Sequence, residues 1–382
     1  MTDRRFRLSI FVLALTGLLG LAAQRPAGAI ETTAREALLI DAATGTVLLE
    51  RDSEKPMPPA SMSKIMTTYL VFERLKDGRL SLDDEFLVSE KAWRMGGSKM
   101  FVEVGAMVRV EDLLRGVIVQ SGNDACIVLA EGISGSEAAF AEEMTRKGRE
   151  IGLTASRFTN ATGWPDPDHR MTARDLATLA QRTIEDFPEF YHYYAETEFT
   201  WSGIRQTNRN PLLYRNLGAD GLKTGHTKQA GYGLTASAAR DGRRVILVLN
   251  GLASQRVRSE ESARLINWAF REFDNYALFK PAEVIDEAPV WLGQETTVPV
   301  VLPDGLTLTL TRKARNGMAV KVAYDSPVPA PIEQGQEVGR LIVTLPDADR
   351  IEVPLQAGAP VGRLGLFGRV AAGLKFLVLG AP

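Results

Sequence analysis

Apolar residues along this chain fall first into short runs bounded by turn residues. Ala37 to Asp41 and Thr46 to Glu50, joined through Ala42-Ala43-Thr44-Gly45, read as a β-hairpin. The longer run Ile65 to Phe72 follows Pro58 and Pro59, which predicts a helix opening at or near Ser61 and stopping around Lys76-Asp77-Gly78, where glycine can cap it. Strand-like pieces at Phe86 to Val88 and Ala106 to Val110 flank a Gly96-Gly97 turn. Glu111 to Gln120, acidic in its first turn and apolar at Leu113, Leu114, Val117, Ile118 and Val119, predicts a second helix, and another begins with Arg174-Asp175-Leu176.

Leu222 to Thr227, Tyr232 to Ala239 and Arg244 to Leu249 are strand candidates, and Asp241-Gly242 is a hairpin turn, so the three should form an antiparallel meander. Glu260 to Tyr276 reads as an amphipathic helix that packs back on that sheet. The aromatic stretch Tyr191 to Trp201 reads either as a lining of a substrate entrance or as a satellite core. From about Ala282 the pattern changes to short Val, Leu and Thr runs (295–302, 306–311, 318–324, 339–345, 350–355) with turns at Asp304-Gly305 and Asn316-Gly317, which predicts a small β-sandwich. In the tail, Leu366, Phe367, Val370, Leu374, Leu377 and Val378 share one helical face flanked by Arg369 and Lys375.

Length and composition narrow the picture. The 382 residues exceed a usual single domain, so two folded units are expected, and 45 basic against 47 acidic residues argue against a general nucleic-acid binder. The lone Cys126 excludes an intrachain disulfide and sits in an apolar run as a core residue; His169, His192 and His226 offer no metal-ligand spacing, so neither metal nor cofactor is expected. Arg4, Arg5 and Arg7 precede an apolar stretch from Leu8 to Ala23 and a small-residue site at Ala27-Gly28-Ala29. That reads as an export signal, either cleaved before Ile30 or kept as an anchor.

The chemistry begins at Ser61-Met62-Ser63-Lys64. Residues three apart share a helical face, so the Ser61 hydroxyl and Lys64 amine can meet, and an amine whose pKa is lowered can take a serine proton. Ser121-Gly122-Asn123 follows between two helical runs, where the glycine would let both polar side chains face one cleft, and Lys223-Thr224-Gly225 lies on the first strand of the meander. A Ser-x-x-Lys alone is commonplace. Three such motifs in this order are not.

In these motifs the chain resembles the serine D-alanyl-D-alanine carboxypeptidases, the low-molecular-weight penicillin-binding proteins of peptidase family S11. The resemblance implies an α+β fold: a β-lactamase-like catalytic domain with an antiparallel sheet flanked by helices, plus the small C-terminal β-sandwich. The expected division is a signal at 1–29, a catalytic domain at 30–278, a β-rich domain at 283–361 and a membrane-anchoring amphipathic tail at 362–382.

It further implies that Ser61 attacks the terminal D-Ala-D-Ala bond of a peptidoglycan stem peptide while Lys64 accepts its proton. Ser121 relays a proton to the leaving amine, and Asn123 holds Lys64 and the substrate amide. Lys223 and Thr224, with Gly225, bind the terminal carboxylate; the backbone N–H groups of Ser61 and His226 meet the oxyanion; and Arg258, just before the last helix, lies on the substrate side. β-Lactams are the implied inhibitors, and an anionic membrane surface outside the cytoplasm the implied location. The rival readings are a peptidoglycan D,D-endopeptidase using the same residues, a class A-like β-lactamase, and a silent wall-binding module. The β-lactamase is disfavoured because its second motif is Ser-Asp-Asn and its deacylating glutamate has no counterpart in 159–178; the silent module is disfavoured because all three motifs are intact.

Overall fold

The computed structural model describes residues 30–379 apart from Asp347, so the signal read over residues 1–29 lies outside the described residues. The predicted hairpin forms as β1 (Glu36–Asp41) and β2 (Val47–Arg51), and the predicted meander as strands Ala219–Thr227, Gly231–Arg240 and Arg243–Leu252. With β3 (Glu85–Leu87), β4 (Met107–Arg109), β5 (Glu198–Trp201) and β6 (Ile204–Thr207) lying between, the meander strands are β7, β8 and β9. One antiparallel sheet results, in the order β2-β1-β9-β8-β7. The apolar run in β9 is continuous because both faces are covered: Ile246 and Val248 enter the larger core, while Val245, Leu247 and Leu249 enter the other.

Helices α1 (Lys64–Lys76), α2 (Glu90–Arg94), α3 (Val110–Ile118), α4 (Asn123–Ser134), α5 (Glu137–Glu150) and α6 (Ala173–Asp186) build the larger core, and α7 (Gln255–Glu272) closes the opposite face. Helices α2 and α5 and the β5–β6 hairpin are additional to the elements expected from apolar spacing. The aromatic stretch resolves as core: Tyr194 is fully buried, its ring 6.2 Å from that of Phe72, and Phe190 stacks on Phe72 at 5.5 Å.

The last catalytic-side helix departs from expectation at both ends. It begins at Gln255, where the Ser254 hydroxyl accepts from Val257 N, and stops at Glu272. Arg258 therefore lies in its first turn rather than before it. Residues 273–276, expected as helix, are extended, and β10 (Phe273–Phe279) pairs with β13 (Leu306–Thr311). The remaining strands, β11 (Val284–Trp291), β12 (Thr297–Val301), β14 (Ala319–Ala323), β15 (Val328–Pro329), β16 (Glu337–Leu345) and β17 (Ala348–Ala357), form a six-stranded sheet, and Val290, Val298, Val300, Leu341, Val343 and Leu355 line the core it shares with β10 and β13.

A buried polar joint ties the two regions. Asp41 is fully buried and receives Arg243 Nε at 2.7 Å and Asn275 Nδ2 at 3.1 Å; Arg243 Nη1 also donates to the carbonyls of Ala269 and Phe273, where α7 gives way to β10. Removing one partner strands the other charge in the interior, which typically costs about 3–5 kcal/mol. Asp41→Ala should therefore lower the denaturant midpoint for unfolding by a corresponding amount; a midpoint within experimental error of the parent would contradict this account of the joint.

Candidate active site

Ser61 lies in a 3-10 turn, Ala60–Ser63, that leads directly into α1. The expected helix start is thus a tighter turn, and Ala60 just before Ser61 adopts φ 50°, a conformation rare for a residue with a side chain. Lys64 remains one turn on, fully buried, with Nζ 2.9 Å from Ser61 Oγ. Its other neighbours are Asn123 Oδ1 at 2.7 Å and the Thr162 carbonyl at 2.5 Å.

Those partners define the useful state of the amine. The Thr162 carbonyl and Asn123 Oδ1 only accept, and a neutral amine has two N–H bonds to give them, which leaves its lone pair for the Ser61 hydroxyl. Asn123 is fixed in that orientation because its Nδ2 donates to the Gly96 carbonyl at 2.8 Å. Burial is the main cause that lowers the Lys64 pKa to about 8; the Cys126 sulfur behind it opposes, the Arg209 guanidinium adds, and Asp124 opposes. Burial also pushes the Cys126 thiol up to about 12, so near neutrality it is an uncharged core residue, as expected.

Ser121 and Asn123 come to the same cleft by a different route from the one predicted. The left-handed residue is Ser121 itself, φ 60°, and Gly122 has ordinary negative φ. Asp124 enforces the turn by accepting the backbone N–H groups of Met100, Phe101 and Val102. The Ser121 hydroxyl is buried without a hydrogen-bond partner among the described residues.

Lys223, Thr224 and Gly225 lie on β7, the sheet's edge strand, beside the turn that carries Ser61. A side chain at Gly225 would come within 2.8 Å of the Pro59 carbonyl, so only glycine permits this approach. Lys223 is buried, and its pKa is held well below the ordinary lysine value by burial first, then by the Lys64 and Arg209 charges. His226 is exposed and stacks on Tyr232 at 3.9 Å. Arg258, buried in the first turn of α7, stands over the same Tyr232 ring and is lowered to about 10, chiefly by burial.

Sequence reasoning missed Arg209. It sits on the loop after β6, an element not predicted, and its only local sequence signal is a polar stretch between turns. Its backbone carbonyl accepts from Arg258 and its guanidinium holds Ser98, so it stands with Lys223 and Arg258 on one side of the cleft. Among the described residues no group of acidic, histidine or cysteine side chains could hold a metal ion.

An antiparallel sheet flanked by helices, with a serine–lysine pair set against its edge strand, is the penicillin-binding catalytic fold. Residues 22–253 match the family model for D-alanyl-D-alanine carboxypeptidase, peptidase S11, and residues 273–363 match the C-terminal domain of penicillin-binding protein 5. The chain belongs to the S11 D-alanyl-D-alanine carboxypeptidase family. It is 37% identical to the D-alanyl-D-alanine carboxypeptidase DacC of Escherichia coli strain K12, across 94% of this chain and 92% of that protein. It is 36% identical to DacA of Haemophilus influenzae, across 92% and 91%. The solved penicillin-binding protein 5 of Haemophilus influenzae superposes with a TM-score of 0.80 at 34% identity, covering 88% of this chain and all of that one. Penicillin-binding protein D2 of Listeria monocytogenes in its ampicillin-bound form gives 0.57 at 29% identity, over 62% and 97%.

An amine with a pKa near 8 is about nine-tenths protonated at pH 7, and if Lys64 is the base it becomes competent as pH rises. The carboxypeptidase kcat/KM should accordingly climb through an apparent pKa of about 8. Arg209 lowers that value, so Arg209→Gln should move the limb to higher pH; a limb that stays put or moves to lower pH would remove Arg209 from the electrostatics of Lys64.

Proposed function

We propose that the enzyme removes the terminal D-alanine of peptidoglycan stem pentapeptides through an acyl-enzyme on Ser61. The observation that carries this reading is the buried Lys64 amine, with two obligate acceptors for its two N–H bonds and the Ser61 hydroxyl 2.9 Å away. Ser61 Oγ adds to the penultimate D-alanine carbonyl as its proton passes to Lys64 Nζ, and the oxyanion is met by the backbone N–H groups of Ser61 and His226. The C–N bond then breaks as Lys64 passes that proton to the Ser121 hydroxyl, which hands its own to the amine, so that both end as they began and free D-alanine leaves. Water hydrolyses the remaining ester, returning the proton to Ser61.

Lys223, Thr224, Arg209 and Arg258 are the groups we assign to the departing alanine's carboxylate. Gly225 keeps β7 close enough for its edge to pair with the substrate backbone, and Asn123 holds the substrate amide with its second N–H. Hydrolysing a penicilloyl ester requires a base beside water on the exposed face of the acyl group. The carboxylates between residues 159 and 178 are Asp166, Asp168 and Asp175; the first two are exposed, and Asp175 is committed to Ala155 N and Ser156 Oγ. This favours carboxypeptidase over β-lactamase.

We also read the chain as exported and held peripherally at an anionic membrane surface by its tail. The helix Leu366–Leu379 exposes Leu366, Phe367, Val370, Leu374 and Leu377, and no helix among the described residues is long and apolar enough to cross a membrane. An apolar helical face of this kind supports interfacial binding.

Benzylpenicillin should give one adduct, at Ser61, that survives many peptide turnovers, since the tethered leaving group of the opened lactam obstructs water while D-alanine departs. Timed intact-mass measurement beside peptide turnover checks this; penicillin turnover as fast as peptide turnover would favour a β-lactamase. Deleting residues 362–382 from the mature chain should leave active enzyme in the soluble fraction after flotation with anionic vesicles, and undiminished vesicle recovery would dismiss the tail as anchor.

A further inference from the structure

The loop between α5 and α6 supplies the Thr162 carbonyl to Lys64, and it is wound on a single side chain. Asn160 Oδ1 accepts from the backbone N–H groups of Thr162 at 3.1 Å, Gly163 at 2.8 Å and Trp164 at 3.0 Å, and from Thr162 Oγ1 at 3.0 Å. Its Nδ2 donates to the Trp164 carbonyl at 3.1 Å and to Thr159 Oγ1 at 3.3 Å. An amide oxygen that gathers consecutive N–H groups turns their carbonyls outward, and here one outward carbonyl, that of Thr162, meets Lys64.

The same winding reaches the second acceptor of Lys64. Trp164, two residues beyond Thr162 and half exposed, lies against the Gly96-Gly97 turn: a Cβ on Gly97 would be 3.0 Å from the indole and 2.8 Å from Asn123 Nδ2. The Gly96 carbonyl of that turn fixes the Asn123 amide, and Asn123 Oδ1 is the second acceptor. One acceptor of the amine thus lies in the turn that Asn160 winds, and the other is fixed by a turn on which Trp164 packs.

We infer that Asn160 is a positioning residue for acylation, orienting the Lys64 lone pair at Ser61 by placing the Thr162 carbonyl and, through Trp164, the Asn123 amide. The inference rests on the proposed roles of Ser61 and Lys64. Neighbouring ties do not depend on Asn160: Ala161 is held by Thr67 Oγ1 and Glu137, and Thr159 N donates to the buried His169 ring. Loss of the amide should therefore loosen residues 162–164 locally rather than undo the loop.

The test is acylation by benzylpenicillin, measured as a second-order rate across pH for the full mature chain. Asn160→Ala should lower the alkaline plateau about 10²-fold, the scale of a misplaced catalytic group. Its rising limb should move to higher pH, because a loosened loop admits water to Lys64 and relieves the burial that favours the neutral amine. Asn160→Asp keeps the accepting oxygen and should recover the plateau to within about tenfold of the parent, although its second oxygen faces the Trp164 carbonyl and its charge holds the limb at higher pH. If Asn160→Ala does not fold, Thr162→Val removes one of the four donors to the oxygen while leaving the backbone intact, and should shift the limb in the same direction by a smaller amount. The inference is overturned if Asn160→Ala acylates like the parent, if its loss comes with an unmoved limb and no recovery in Asn160→Asp, or if Thr162→Val leaves both limb and plateau unchanged when it is the only folded variant. Failure of the parent itself to acylate at Ser61 would instead overturn the function on which the inference rests.

Discussion

A lysine amine held without water beside a serine is the constraint on which the rest of this structure depends. An ammonium in water is strongly hydrated, so a fully buried Lys64 is destabilised in its charged form, and that penalty turns an ordinary surface cation into a base. The penalty must be contained. The fold meets it with two acceptors for the amine's N–H bonds, supplied by α4 and by the loop before α6, while α1 carries the lysine itself. Three separate segments converge because no one of them can exclude water and satisfy the nitrogen at once.

That convergence explains several local departures from regular structure. Ala60 and Ser121 take left-handed backbone conformations on either side of the cleft, one just before Ser61 and one at the proton relay proposed here. Strain of this kind persists where the surroundings over-determine it. At Ser121 the determinant is visible: Asp124, committed to three N–H groups of the facing segment, fixes the turn into α4. The sheet is equally bound to the site, since β7 can approach the nucleophile only through Gly225.

Most of the scaffold was legible because it follows from period and punctuation. The hairpin β1–β2, the meander β7–β9 and helices α1, α3 and α6 carry apolar spacing and turn residues that local rules can read. The failures have physical causes. The α5 segment has few buried positions, Phe140, Ala141, Met144 and Gly148, on a mostly charged helix, so its amphipathic signal is diluted. Amphipathic helical spacing runs on to Tyr276, yet pairing of β10 with β13 captures residues 273–276, a non-local interaction that overrides local preference. In the site, the paired residues Ser61 and Lys64 were readable because one helical turn separates them. Arg209 was not, because its contacts are with segments distant in sequence; Asn160 was not, because its own bonds are local and only the Thr162 carbonyl beside it reaches Lys64, 98 positions away.

The two buried lysines also bear on the carboxylate binding proposed for this cleft. Lys64 and Lys223 both lie in the interior, and Arg209 and Arg258 add positive charge on the same side. Two such amines do not titrate independently: each proton bound raises the cost of the next. In the proposed reaction the terminal carboxylate arrives beside Lys223 and compensates one positive charge there. The proton shared between the coupled amines then belongs on Lys223, next to its counter-ion, and Lys64 is left neutral with its lone pair toward Ser61. Binding the correct chain end would therefore do more than orient the peptide. It would assign the protonation states that acylation requires, so that a peptide lacking a free carboxylate meets a site whose positive charge is uncompensated and whose base is more poorly prepared. Selectivity for the chain terminus and activation of the nucleophile are, on this argument, two consequences of the same buried pair.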